Sequence, residues 1–126
     1  MNGHKKRILV VDDEPEVLGL FKDLFTQRGY HVECASNGVD ALESVGKTRI
    51  DAVLLDVRMP AMDGIETLAG IKQEKPEIRV VMFTAYGCDD NLISRTQELG
   101  ASGFISKNIP LAQIINNFLD SAKLAF

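Results

Sequence analysis

The sequence predicts an α/β fold, a five-stranded parallel sheet with helices on both faces. Three observations carry this. Short, wholly apolar runs recur along the chain, as expected of strands buried on both sides. Each run is followed by a longer stretch with apolar residues at helical spacing. Gly, Pro or Asn punctuates the junctions.

The elements follow in order. Ile8-Leu9-Val10-Val11 reads as a buried strand. Pro15 opens a helix whose face carries Val17, Leu18, Phe21, Leu24 and Phe25, and Gly29 stops it. His31–Ala35 reads as a second strand. Asn37-Gly38 starts a helix with Val39, Leu42 and Val45 on its apolar face, ended by Gly46. Ala52-Val53-Leu54-Leu55 is a third strand, and Asp63 suits the cap of a helix bearing Ile65, Leu68 and Ile71 that stops before Pro76. Arg79–Phe83 is the fourth strand, and a helix with Leu92, Ile93, Thr96 and Leu99 ends at Gly100. Gly103–Ser106 is a short fifth strand. Pro110 suits the first turn of a last helix bearing Leu111, Ile114, Ile115, Phe118 and Leu119. Five β-α units with right-handed crossovers account for the chain. Its 126 residues suit one domain, with a core spanning about 6–124, and no stretch of linker composition divides it.

Composition narrows the function classes. The net charge of −4 disfavours direct binding of nucleic acid, which usually needs a basic patch. The one basic run, His4-Lys5-Lys6-Arg7, reads as a solubilising terminus. Cys34 and Cys88 match no metal spacing and read as two reduced thiols. No apolar run approaches membrane-spanning length, so a soluble, cytoplasmic protein is expected. The phosphate-cradling glycine motifs and the G-x-S-x-G elbow are missing. His4 and His31 fall away from the strand ends that matter below.

In open α/β sheets, ligands sit beyond the carboxyl ends of the strands. There the first strand runs into Asp12-Asp13-Glu14, the third into Asp56, the fourth into Thr84 and the fifth into Ser106-Lys107. Taken singly, Asp12 or Asp13 reads better as a helix cap, Lys107 as a solvated lysine and Thr84 as an ordinary strand end. Together on one edge they describe a site. Converging carboxylates repel unless a cation joins them, and hard oxygen ligands suit Mg²⁺ or Mn²⁺. Such a site tolerates a phosphoryl group on one carboxylate, with Lys107 neutralising its oxygens and Thr84 donating a hydrogen bond. Asp56, on the central apolar strand, is the natural nucleophile, giving an aspartyl phosphate.

The stretches Val10–Pro15, Leu54–Gly64, Phe83–Ala85 and Gly100–Lys107 closely resemble the receiver domain of two-component response regulators, over roughly Lys6 to Leu124. The resemblance implies a flavodoxin-like fold with strand order 2-1-3-4-5. It implies phosphorylation of Asp56 by a sensor histidine kinase or phosphotransfer protein. Asp13, Asp56 and the backbone carbonyl of Arg58 would hold Mg²⁺, with Asp12 helping through water. Thr84 and Lys107 would hold the phosphoryl oxygens. Phe104 would be the aromatic switch residue, and the fourth helix, fifth strand and fifth helix the output face. A monomer, or a dimer formed on phosphorylation, is expected, and the output domain or partner is left open.

Two positions depart from the family pattern. Lys107 is followed by Asn108 rather than Pro, so its peptide is either trans or a cis form costing about 3 kcal/mol. Phe104 stands where many members have Tyr. Arg58 and Tyr86, two residues beyond Asp56 and Thr84, are expected to project over the site mouth and restrict the attacking water. Two other functions compete. A haloacid-dehalogenase-type phosphatase wants a second Asp where Arg58 stands. A degenerate receiver acting as an interaction scaffold does not need the intact polar set.

Overall fold

The computed structural model describes residues 5–59, 62–84 and 90–124. Five strands, β1 (Arg7–Val11), β2 (His31–Ala35), β3 (Ala52–Asp56), β4 (Arg79–Thr84) and β5 (Gly103–Ser106), form one parallel sheet in the order β2-β1-β3-β4-β5. They alternate with α1 (Pro15–Gln27), α2 (Gly38–Lys47), α3 (Gly64–Glu74), α4 (Asp90–Glu98) and α5 (Leu111–Ser121). This is the expected flavodoxin-like arrangement. Burial agrees with the order: β1, β3 and β4 are apolar along almost their whole length and occupy the centre, and β2, with exposed His31 and Cys34, lies at an edge.

Alternation of side chains divides the core into two layers. On one face Ile8, Val10, Leu54, Val81 and Phe83 meet Phe21 and Phe25 of α1 and Ile114, Ile115 and Phe118 of α5. On the other, Leu9, Val11, Leu55, Val80 and Met82 meet Ala41 and Val45 of α2, Leu68 and Ile71 of α3, and Leu92 of α4. Among the described residues of α4 only Thr96 is fully buried, and its hydroxyl donates to Ile93 O within the same helix.

The chain turns where the sequence allows. Gly29 and Gly100 adopt φ of 95° and 98°, the left-handed region that glycine enters at little cost after a helix. Asp63 caps α3 as expected, its Oδ1 accepting the Glu66 N–H at 2.9 Å. Asn37 does the same for α2 toward Asp40 at 2.8 Å.

Three local expectations need correction. Val39 is 57% exposed rather than part of the α2 core face, which is made by Gly38, Ala41 and Val45. Gly46 does not end α2, which continues one residue to Lys47 and is capped by Thr48, whose N–H donates to Ser44 O. Pro110 is the residue before α5, not part of its first turn. Cys34 is a free, exposed thiol, and Cys88 lies outside the described residues. No described helix is long and apolar enough to cross a membrane.

Candidate phosphoacceptor site

The carboxyl ends of β1, β3, β4 and β5 bring the expected residues together. Asp12 follows β1 and is fully buried. Its Oδ1 accepts the Glu14 N–H at 2.9 Å, which bends the chain toward Pro15 and α1. Neither Asp12 nor Asp13 caps that helix; the cap position is Glu14. Asp56 is the last residue of β3, level with Phe83, and 4% exposed. Its Oδ1 accepts the Arg58 N–H at 3.1 Å. Behind it, Gly64 opens α3 so close that a Cβ there would stand 2.3 Å from the Asp56 carbonyl oxygen. Only glycine permits this approach of α3 to the end of β3.

Lys107 closes the site. Its Nζ donates to Asp12 Oδ2 at 2.6 Å and to Asp56 Oδ2 at 3.2 Å, and lies 3.9 Å from Glu14 Oε1. Its backbone N–H donates to Thr84 O at 2.7 Å, so the end of β4 sets where the lysine begins. Beyond it the Ser106 hydroxyl accepts the Asn108 N–H at 3.1 Å. The Lys107–Asn108 peptide is trans. Thr84 is buried opposite Ser106.

Asp12, Asp13 and Asp56 each present a carboxylate oxygen, all within 4.8 Å of one another. Asp13 is the exposed member, and a cleft of about 580 Å³ opens beside it toward Asn37 and Met62. Burial, followed by the Asp12 charge, pushes the Asp56 carboxyl up to about 6, against the pull of Lys107 and the Arg58 N–H. Burial opposes the Lys107 ammonium, but the hydrogen bonds and charges of Asp12 and Asp56 outweigh it and hold that group above its ordinary value. Three carboxylates against one ammonium form an oxygen-donor set suited to a small hard cation.

Phe104 is half-buried on the α4 side, level with Met82 and packed against the core there. Arg58 is exposed, while Ala85 and Tyr86 lie outside the described residues. Two contributions escaped sequence reasoning. One is the close approach of Gly64. The other is Phe83, read as a strand residue and as the first of the Phe83–Ala85 stretch but given no role at the site, whose ring centre lies 4.6 Å from Lys107 Nζ. Its place immediately before Thr84 was the available signal.

Comparison with known proteins agrees with this geometry. The response regulator receiver domain family matches residues 8–118. Sporulation initiation phosphotransferase F of Bacillus subtilis is 40% identical over 109 residues, covering 86% of this chain and 87% of that protein. Transcriptional regulatory protein ZraR of Klebsiella oxytoca is 41% identical over 107 residues, covering 85% of this chain but 24% of that protein. Among solved structures, the CheX-CheY-BeF3-Mg²⁺ complex of Borrelia burgdorferi superposes with a TM-score of 0.85 at 30% identity, covering 91% of this chain and 87% of that one. The parallel sheet and the acidic pocket at its carboxyl edge are those of a phosphoacceptor domain. The chain belongs to the response regulator receiver domains.

Proposed function

We propose that Asp56 accepts a phosphoryl group from a histidine kinase or phosphotransfer protein and that this switches the α4-β5-α5 face toward an output domain or partner. The observation that carries the reading is the shared hold of Lys107 on Asp12 and Asp56 beside a third carboxylate. One Asp56 oxygen attacks phosphorus, the phosphorus–nitrogen bond of the phosphohistidine breaks, and the imidazole keeps the electron pair and takes up a proton. An acyl phosphate remains on Asp56.

Asp13, Asp56 and the Arg58 carbonyl would hold Mg²⁺ (or Mn²⁺), with Asp12 contributing through water. The bound ion would neutralise charge on the phosphoryl oxygens. Lys107 turns its ammonium from the carboxylates to the incoming oxygens, and Thr84 donates its hydroxyl to another. Phe104 packs inward as Thr84 moves. Arg58 and Tyr86 limit the approach of water and so set the lifetime of the acyl phosphate. Unchanged dephosphorylation in an Arg58→Ala, Tyr86→Ala variant would remove that role. The domain works as a single unit in the cytoplasm and assists its own phosphorylation without being a conventional enzyme. It acts as a monomer or as a dimer formed on phosphorylation.

The test is labelling by a small phosphodonor such as acetyl phosphate. Labelling should require Mg²⁺ and vanish in Asp56→Asn. Full labelling of that variant would mean another residue is the acceptor.

A further inference from the structure

We infer that Phe83 is a positioning residue for Lys107, holding its ammonium over the acidic site through the face of the ring; this rests on the phosphoacceptor reading above. The Lys107 Nζ has hydrogen-bonding anions on one side, Asp12 at 2.6 Å and Asp56 at 3.2 Å. On another side lies the Phe83 ring, its centroid 4.6 Å away. That is inside the distance at which a cation is attracted by the negative face of an aromatic ring, and the attraction strengthens where water is excluded. Lys107 is only 15% exposed, so the contact is largely dry.

The ring is a fixed platform. Phe83 is 1% exposed and meets Phe21 of α1 edge-on, with centroids 5.7 Å apart at 88°. Phe21 in turn stacks on Phe25 at 5.9 Å. Phe83 therefore cannot swing aside without disturbing α1. Two neighbouring residues at the end of β4 thus grip both ends of the lysine. The Thr84 carbonyl takes its backbone N–H, and the Phe83 ring backs its ammonium.

The two kinds of contact differ in what they permit. Hydrogen bonds to carboxylates fix the direction of each N–H. A ring face attracts the charge without fixing its rotation. The ammonium can therefore turn from Asp12 and Asp56 toward a phosphoryl group while staying over the site. A Leu at position 83 would fill the core but supply no such attraction.

The test uses the whole chain in three forms: unchanged, Phe83→Leu, and a series with mono-, di- and trifluorinated phenylalanine at position 83. Fluorination keeps the ring's shape and progressively weakens its negative face, so the series stays informative even if the Leu variant folds poorly. The initial rate of Mg²⁺-dependent labelling by acetyl phosphate should fall stepwise along the series, to a loss of about 5-fold for the trifluorinated ring. The Lys107 Hε protons should show an upfield ring-current shift in the NMR spectrum, lost in Phe83→Leu. A labelling rate that stays flat along the fluorinated series overturns the positioning role while leaving the phosphoacceptor reading intact. Absence of the ring-current shift in the unchanged chain also overturns it. Failure of the unchanged chain to label at all would sink the phosphoacceptor reading, and the positioning role with it.

Discussion

Lys107 and Asp12, 95 residues apart in sequence, meet at 2.6 Å, and the carboxylate is fully buried. With its other oxygen on the Glu14 N–H, Asp12 has both oxygens engaged inside the protein. The lysine is thus a resident counterion for a site that carries three carboxylates. Replacing it with an apolar side chain of similar length, Lys107→Met, leaves that buried charge uncompensated. In EDTA the variant should lose about 2 kcal/mol of stability by urea denaturation. Millimolar Mg²⁺ should recover more stability in the variant than in the unchanged chain. An equal response to Mg²⁺ in both would show that the lysine does not balance the site.

Asp56 gives a pH dependence of unusual sign for a carboxylate. Its folded value is about 6 against 3.8 for the free group. A raised value means the folded state holds the proton more tightly. The stability this contributes is present below about 3.8 and is lost as pH rises through about 6. In metal-free buffer Asp56→Asn should therefore gain on the unchanged chain between pH 4 and 7.5, by about 2 kcal/mol after screening is allowed for. Denaturation of both proteins at the two pH values measures it. A constant difference would contradict the shift.

Gly64 offers a purely steric test. In Gly64→Ala the new methyl would meet the Asp56 carbonyl oxygen at 2.3 Å and Val57 Cα at 2.7 Å, both backbone atoms with little freedom to yield. The variant should be destabilised by about 3 kcal/mol. What survives should label more slowly, because Asp56 and Arg58 are displaced together. Unchanged stability would mean that α3 can slide away from β3.

Tyr30 probes the opposite end of the molecule. Its buried hydroxyl donates to Leu124 O at 2.7 Å, which ties the end of α5 to the start of β2. Tyr30→Phe removes the donor and leaves the carbonyl unpaired, so it should cost about 1.5 kcal/mol. Amide exchange at Ala122–Leu124 should quicken, with labelling at Asp56 unaffected. Loss of labelling would reveal coupling along the α1–α5 layer.

Much of this was legible in the sequence for identifiable reasons. The bounds of His31–Ala35 and Gly103–Ser106 are those expected, because composition changes sharply on either side of each. The site residues could be placed together because a parallel sheet sends every strand's carboxyl end to one edge. Val39 was misplaced because glycine gives no apolar signal. Gly38 is buried, and its missing side chain admits Thr67 and Met62, so the true core face runs through Gly38, Ala41 and Val45. Strand order is invisible to periodicity, which reports burial but not neighbours. The ring behind Lys107 was hidden for a similar reason: Phe83 has the hydrophobic character of any strand residue, and only the register beside Asp56 gives its face an ammonium to meet.

The sparse anchoring of α4 has an energetic consequence. A helix whose one fully buried described residue is a threonine bonded back to itself leaves little apolar surface to expose when it lifts. α1, α3 and α5 instead drive Phe21, Phe25, Leu68, Ile71 and Phe118 fully into the two core layers. Opening of α4 should therefore lie far below the free energy of global unfolding, and amide exchange there should run ahead of the other helices. On the phosphoacceptor reading proposed above, α4 is the element whose displacement would uncover the least apolar surface, and so the one that a change at the site could rearrange at the lowest cost.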